Sequence, residues 1–208
     1  MPLDLASLLA PTHTAVLTME LQRGVVGDHA AIPDLANEAA ARGVVANAAK
    51  VVRAARDAGA RVVHCTAEFR PDRAGSNDNA PLLRAIAKAP PNLLTGSEEA
   101  GLVSELGPEP SDVISSRRHG LTPFPGTDLD QTLRNLGVST IVATGVSVNI
   151  GITGMVMVAV DLGYRVAVVT DAVAGVPSDY SDLVIRHTLA PLATLVKADD
   201  VLAAWGGP

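Results

Sequence analysis

Ser139-Thr140-Ile141-Val142-Ala143-Thr144-Gly145-Val146-Ser147-Val148-Asn149-Ile150-Gly151 passes from a β-branched, apolar run, through a glycine, into a segment of helical period. Residues 139–144 have strand length and are apolar nearly throughout, as a strand covered on both faces must be. Residues 149–162 then read as a helix. A buried strand feeding a helix is half of a βαβ unit, and the same rhythm repeats outward in both directions. Upstream stand residues 14–19 after Pro11, 61–66 after Gly59, and the shorter 112–115. Downstream stand 165–170 and the weaker 193–196. Residues 35–58 read as one helix, with Asp34 as N-cap behind Pro33 and Gly59 as its stop. Further helices are read at 128–136, 178–189 and 198–205. The pattern predicts an α/β fold in three layers: a six-stranded, mostly parallel, Rossmann-like sheet with helices on both faces, as one domain over residues 1–208.

The chain has 208 residues, 48% of them hydrophobic and 18% charged, which is ample for a core and unlike a disordered chain. Aromatic residues make up 2% and the net charge is -6, so the stacking platforms and basic footprint that nucleic acid requires are both lacking. Cys65 is the only cysteine, which excludes an intramolecular disulfide or a multi-cysteine zinc site and points to a reducing compartment. No apolar run reaches about 18 residues, and the start of the chain lacks the basic and apolar regions of a signal peptide. The chain is therefore expected in the cytoplasm, away from membranes. Residues 69–110 hold Pro71, Pro81, Pro90, Pro91, Pro108 and Pro110 among several glycines, and read as a long, partly structured excursion over the strand ends.

Ligands of open α/β sheets bind beyond the carboxyl ends of the strands. Glu20 lies past the first strand, Glu68 and Arg70 past the second, Arg117-Arg118-His119 past the third, the Gly145 to Asn149 turn past the fourth, and Asp171 past the fifth. Glu20 facing Arg118 across neighbouring strand ends would make a carboxylate–guanidinium pair that holds an anionic group or orients an acid. The plain alternative is a surface ion pair without a role. The N–H groups that open the helix after Asn149 form an anion or oxyanion site. Ser147 and Thr153 read as helix caps, since neither sits in a nucleophile elbow. Gly151 and Gly154 cost that helix about 1 kcal/mol each relative to alanine, which calls for the close approach of a ligand or a second helix. His64 and Cys65 are neighbours within a strand, and His13, His29, His119 and His187 are scattered, so no metal is assigned. Neither a G-x-G-x-x-G nor a Walker lysine is present, so no nucleotide cofactor is assigned.

With these positions in place, the chain resembles the isochorismatase-like (cysteine hydrolase) superfamily over nearly its whole length. Ala15-Val16-Leu17-Thr18-Met19-Glu20-Leu21-Gln22 resembles the family's first strand and acidic residue, and Arg118-His119-Gly120-Leu121-Thr122-Pro123-Phe124-Pro125-Gly126-Thr127-Asp128-Leu129 its lysine block. Leu136 through Gly151 resembles the strand leading to the nucleophile, and Asp161 through Ala174 the next strand and its acid. The family's amidohydrolases use an aspartate, a lysine and a cysteine, and the resemblance sets Glu20, Arg118 and Gly151 at those places. Isochorismatases proper also carry glycine there, which implies acid-catalysed vinyl-ether hydrolysis: a carboxylic acid protonates the enol carbon and water adds to the oxocarbenium ion. The resemblance implies Glu20 and Arg118 as the catalytic pair. It implies substrate or oxyanion contacts at Gln22, Thr122, Phe124, Val146, Ser147, Asn149, Ile150 and Gly151, and a cis peptide bond between Val146 and Ser147. The function expected is hydrolysis of a small anionic metabolite without a cysteine thioester, with no cofactor, by a homodimer or homotetramer. The alternatives are a catalytically silent ligand-binding homologue and an oligomeric interaction subunit.

Overall fold

Six strands carry the molecule: β1 (Thr14–Met19), β2 (Arg61–Ala67), β3 (Val113–Arg117), β4 (Thr140–Val146), β5 (Arg165–Ala174) and β6 (Thr194–Val196). In the computed structural model, which describes residues 4–89 and 92–206, they form one sheet in the order β3-β2-β1-β4-β5-β6. Every pairing is parallel. The order reverses between β1 and β4, which makes their carboxyl ends the switch point where open α/β sheets bind ligands. Around the sheet lie α1 (Leu5–Leu8), α2 (Arg23–Val26), α3 (Pro33–Ala41), α4 (Val44–Ala58), α5 (Pro81–Lys88), α6 (Leu129–Asn135), α7 (Thr153–Asp161), α8 (Ser178–Val184) and α9 (Ala198–Ala204).

Strand alternation builds two cores. Val16, Val62 and Val142 face Val44, Val51, Val52 and Ala55 of α4 on one side. Leu17, Val63 and Ile141 face Leu129 and Leu133 of α6 and Met155 and Val156 of α7 on the other. Both β1 and β4 are buried along their whole length, as their continuous apolar runs require. Gly145, at φ +109°, lets them come together, because a Cβ there would lie 2.1 Å from the Met19 carbonyl oxygen.

The single helix expected over residues 35–58 is two, α3 and α4. Gly43 between them takes the left-handed conformation at φ +66°, which turns the chain and ends the first helix. Ile32, not Asp34, is the N-cap of α3; Pro33 holds the first helical position and Asp34 lies in the first turn. Gly59 stops α4 as expected, at φ +80°. The helix read at 149–162 opens with a wide π turn, Val148–Ile152, before α7, and α8 runs into a second one, Ile185–Leu189. The peptide bond between Val146 and Ser147 is cis.

The 69–110 excursion contains α5 and a short helical turn, Ser104–Leu106, and is tied to the β1 end by backbone bonds. Arg23 N–H donates to Gly101 O at 2.8 Å, Gly24 N–H to Glu99 O at 2.8 Å, and Val103 N–H to Leu21 O at 3.0 Å. Pro90 and Pro91 lie outside the described residues, as do residues 1–3 and 207–208. Among the described residues no helix is long and apolar enough to cross a membrane.

Candidate active site at the strand ends

Glu20 follows β1 directly and holds a left-handed backbone at φ +52°. Such a conformation costs a non-glycine residue on the order of 1–3 kcal/mol, and it persists only where the surroundings enforce it. Here the Glu20 N–H donates to the Cys65 carbonyl at 2.9 Å, and the carboxylate accepts from Nη2 of Arg117. The Glu20 side chain is 18% exposed and that of Arg117 7%. Arg117 Nε donates to the Gly120 carbonyl at 3.2 Å, while its Nη1 is buried with no partner among the described residues.

The cation beside Glu20 is thus Arg117 and not the expected Arg118. β3 runs two residues beyond the expected end at Ser115, and side chains on a strand point alternately to opposite faces. Ser115 and Arg117 are buried, whereas Ser116 and Arg118 are exposed. The signal was available, because counting by two from Ser115 selects Arg117.

Cys65 stands opposite Met19 on one side and Ser115 on the other, fully enclosed. Burial pushes its thiol up to about 12; the charge of Arg117 pulls the other way and that of Glu20 adds to the rise. It is therefore a protonated thiol at neutral pH, a poor nucleophile.

A Cβ built on Gly151 would lie 3.0 Å from the Val146 carbonyl oxygen and 3.2 Å from Cε of Met19. One built on Gly154 would lie 2.4 Å from Cγ2 of Thr122. The close approach that these glycines call for is made by Met19 and Thr122 of the chain itself. Ser147 occupies the cap position without a side-chain bond, and the Thr153 hydroxyl donates to the Val148 carbonyl at 2.6 Å. The Oδ1 of Asn149 is buried without a partner among the described residues, and a Cβ built on Gly175 would lie 2.9 Å from it.

Several expected contacts lie in the interior. Gln22 is fully buried; its amide donates to Ala67 O at 3.0 Å and Ala100 O at 2.8 Å, and its oxygen accepts from Ala67 N–H at 2.8 Å. It ties the excursion to β2. Phe124 packs on Tyr164 with ring centroids 6.2 Å apart, and Val146 is fully buried in the opposite core. Ile150 is half-buried on the wide turn beside Gly151. Thr122 lines a groove of about 630 Å³ with Arg117, Arg118, His119 and Pro125, and no carboxylate is among its lining residues.

A second polar cluster escaped the sequence reading. Thr18 Oγ1 lies 2.8 Å from His64 Nδ1, His64 Nε2 lies 3.2 Å from Asp112 Oδ2, and Arg56 Nη2 donates to Asp112 at 2.6 Å. Thr18 and His64 are 1% and 0% exposed, so this cluster is sealed under α4 and joins β1, β2 and the entry to β3. Among the described residues no group of three or more His, Cys, Asp or Glu side chains converges to hold a metal ion.

Comparison with known proteins gives one answer throughout. The family model "Isochorismatase domain" matches residues 14–200. An uncharacterised isochorismatase family protein of Escherichia coli O157:H7, YecD, is 30% identical over 193 residues, covering 92% of this chain and 95% of that protein. The ureidoacrylate amidohydrolase RutB of Agrobacterium fabrum is 27% identical over 187 residues, covering 83% of this chain and 80% of its own. The structure of an isochorismatase family protein from Burkholderia thailandensis superposes with a TM-score of 0.76 at 28% identity, over 94% of this chain and 96% of that one.

Proposed function

The chain belongs to the isochorismatase family, a family of hydrolases, and from that premise we propose that it hydrolyses a small anionic metabolite without a cysteine thioester. Glu20 is the acid and base of this reading, and Arg117 takes the anion-holding role expected of Arg118. The observation that carries it is the enclosed Glu20–Arg117 pair, in which one guanidinium nitrogen, Nη1, is still free to donate. A substrate carboxylate or developing oxyanion accepts from Nη1, where the guanidinium is positive at any working pH. Glu20 takes a proton from the attacking water as its oxygen bonds to the electrophilic carbon. The same carboxyl then returns that proton to the leaving atom as its bond to carbon breaks. No covalent enzyme intermediate is needed, which agrees with a glycine at position 151 and with the raised thiol of Cys65.

Replacing Glu20 with Gln tests this directly. Turnover of small anionic esters and amides should fall at least about 100-fold, the usual contribution of a general acid–base, while carboxylate binding persists. Unchanged turnover in Glu20→Gln would contradict the reading. A second reading, a homologue that binds and does not turn over, is favoured by Met19, whose Cε would lie 3.2 Å from a Cβ at position 151 and crowd any side chain there. Carboxylate binding by the native protein with no turnover of any of these substrates would establish it.

The buried lone thiol supports a reducing, cytoplasmic setting. Met157 and Val160 of α7, 45% and 37% exposed, support self-association as a homodimer or homotetramer.

A further inference from the structure

We propose that the site accepts an amphipathic acid, whose carboxylate is held at Arg117 and whose apolar arm lies in a second groove walled by Phe69 and α5. This inference rests on the anion-holding reading of Arg117 given above. The second groove has a volume of about 250 Å³; Leu83, Ile86 and Ala87 of α5 and Phe69 form its apolar wall, and His119 belongs to its lining and to that of the larger groove. The two spaces therefore meet at one side chain.

The wall is an apolar face that the chain does not close upon itself. Leu82, Leu83 and Ile86 follow the spacing of a single helix face, with Arg84 and Lys88 exposed. No residue of α5 is fully buried, in contrast to α4, whose apolar positions vanish into the core. Phe69 is half-buried beside it and is fixed by its backbone, donating to Leu93 O at 2.8 Å and accepting from Thr95 N–H at 2.9 Å. The Arg73 guanidinium lies 4.5 Å from the ring centroid, a cation–π contact that holds the ring as a platform.

Two bonds keep the grooves side by side. Ser76 Oγ donates to the Arg118 carbonyl at 2.6 Å, and Asn77 N–H donates to Nδ1 of His119 at 3.1 Å. Because Nδ1 accepts, the neutral His119 ring carries its proton on Nε2, a donor at the junction. On one side of that junction stand Arg117, whose Nη2 is held by Glu20 while its Nη1 is unpaired among the described residues, and Arg118, in a groove lined by no carboxylate. On the other side stands the α5 wall. A ligand that satisfies both is a carboxylic acid bearing one aromatic ring or a short acyl chain.

The test is an NMR titration of the purified protein with propanoate, pentanoate and heptanoate. Affinity should rise about threefold to fourfold per added methylene, the worth of burying each CH₂, until the groove is filled. In Ile86→Asn and in Leu83→Asn, heptanoate should fall back toward the affinity of propanoate. Equal affinity for the three acids would overturn the apolar subsite and leave the anion reading standing. A rise with length that survives both substitutions would also overturn it, by placing the arm elsewhere. Absence of binding by all three acids would remove the anion reading itself, and this inference with it.

Discussion

Met19 and Gly151 meet in the space where a side chain on the helix turn would otherwise sit. The Met19 thioether is fully buried, and the Val146 carbonyl on the other side of Gly151 belongs to rigid backbone. Gly151→Cys should therefore destabilise the protein by about 1–3 kcal/mol, the range for overpacking a filled core. The gain of about 0.4–1 kcal/mol from a less flexible unfolded chain does not offset that. The urea midpoint measures it; an unchanged or raised midpoint would show that the turn has room. At this scale the sequence was legible for Glu20, which sits at a strand end whatever the details, and misleading for Arg118. Two adjacent arginines differ only by the parity of a strand whose end was read two residues early. The contact of Asn77 with His119, 42 residues apart, leaves no trace in either local pattern.

Elements that obey one strong local rule were read to the residue. β1 matches its expected bounds because a proline precedes an unbroken apolar run, and α4 ends at its glycine. The break at Gly43 was invisible because the alanine-rich helical pattern continues through it, and only the left-handed φ marks the turn. β1, β2 and β3 are also joined by the sealed Thr18–His64–Asp112 cluster, which has a pH signature. Burial pushes the His64 imidazole below its ordinary 6.5, against the smaller raising pull of Asp112. As pH falls below about 6.5, the unfolded chain binds a proton that native His64 does not, so stability is lost, by at most about 1.4 kcal/mol per pH unit. Asp112 titrates in a separate, more acid window. Burial raises it, but the bonds from Arg56, the Glu109 N–H and His64 outweigh that and hold it below the ordinary carboxylate range. Urea midpoints taken from about pH 7 to 5 should fall more steeply for the native protein than for His64→Gln; equal slopes would refute a neutral, enclosed His64.

For the molecule as a whole, the alternation of strands and helices was enough to read a Rossmann-like sheet, and the strand order then places the switch point between β1 and β4. The 69–110 excursion was not legible beyond its existence, because its path is set by contacts with the distant residues 21–24 and 117–119. The central claim is that the strand-end site works through Glu20 and Arg117. Carboxylate binding compared between Arg117→Met and Arg118→Met tests it most directly. Arg117→Met should weaken propanoate binding at least about tenfold more than Arg118→Met, since only Arg117 is enclosed and charge-assisted bonds of that kind are worth about 1.5–3 kcal/mol. The reverse order, or equal losses, would contradict the account.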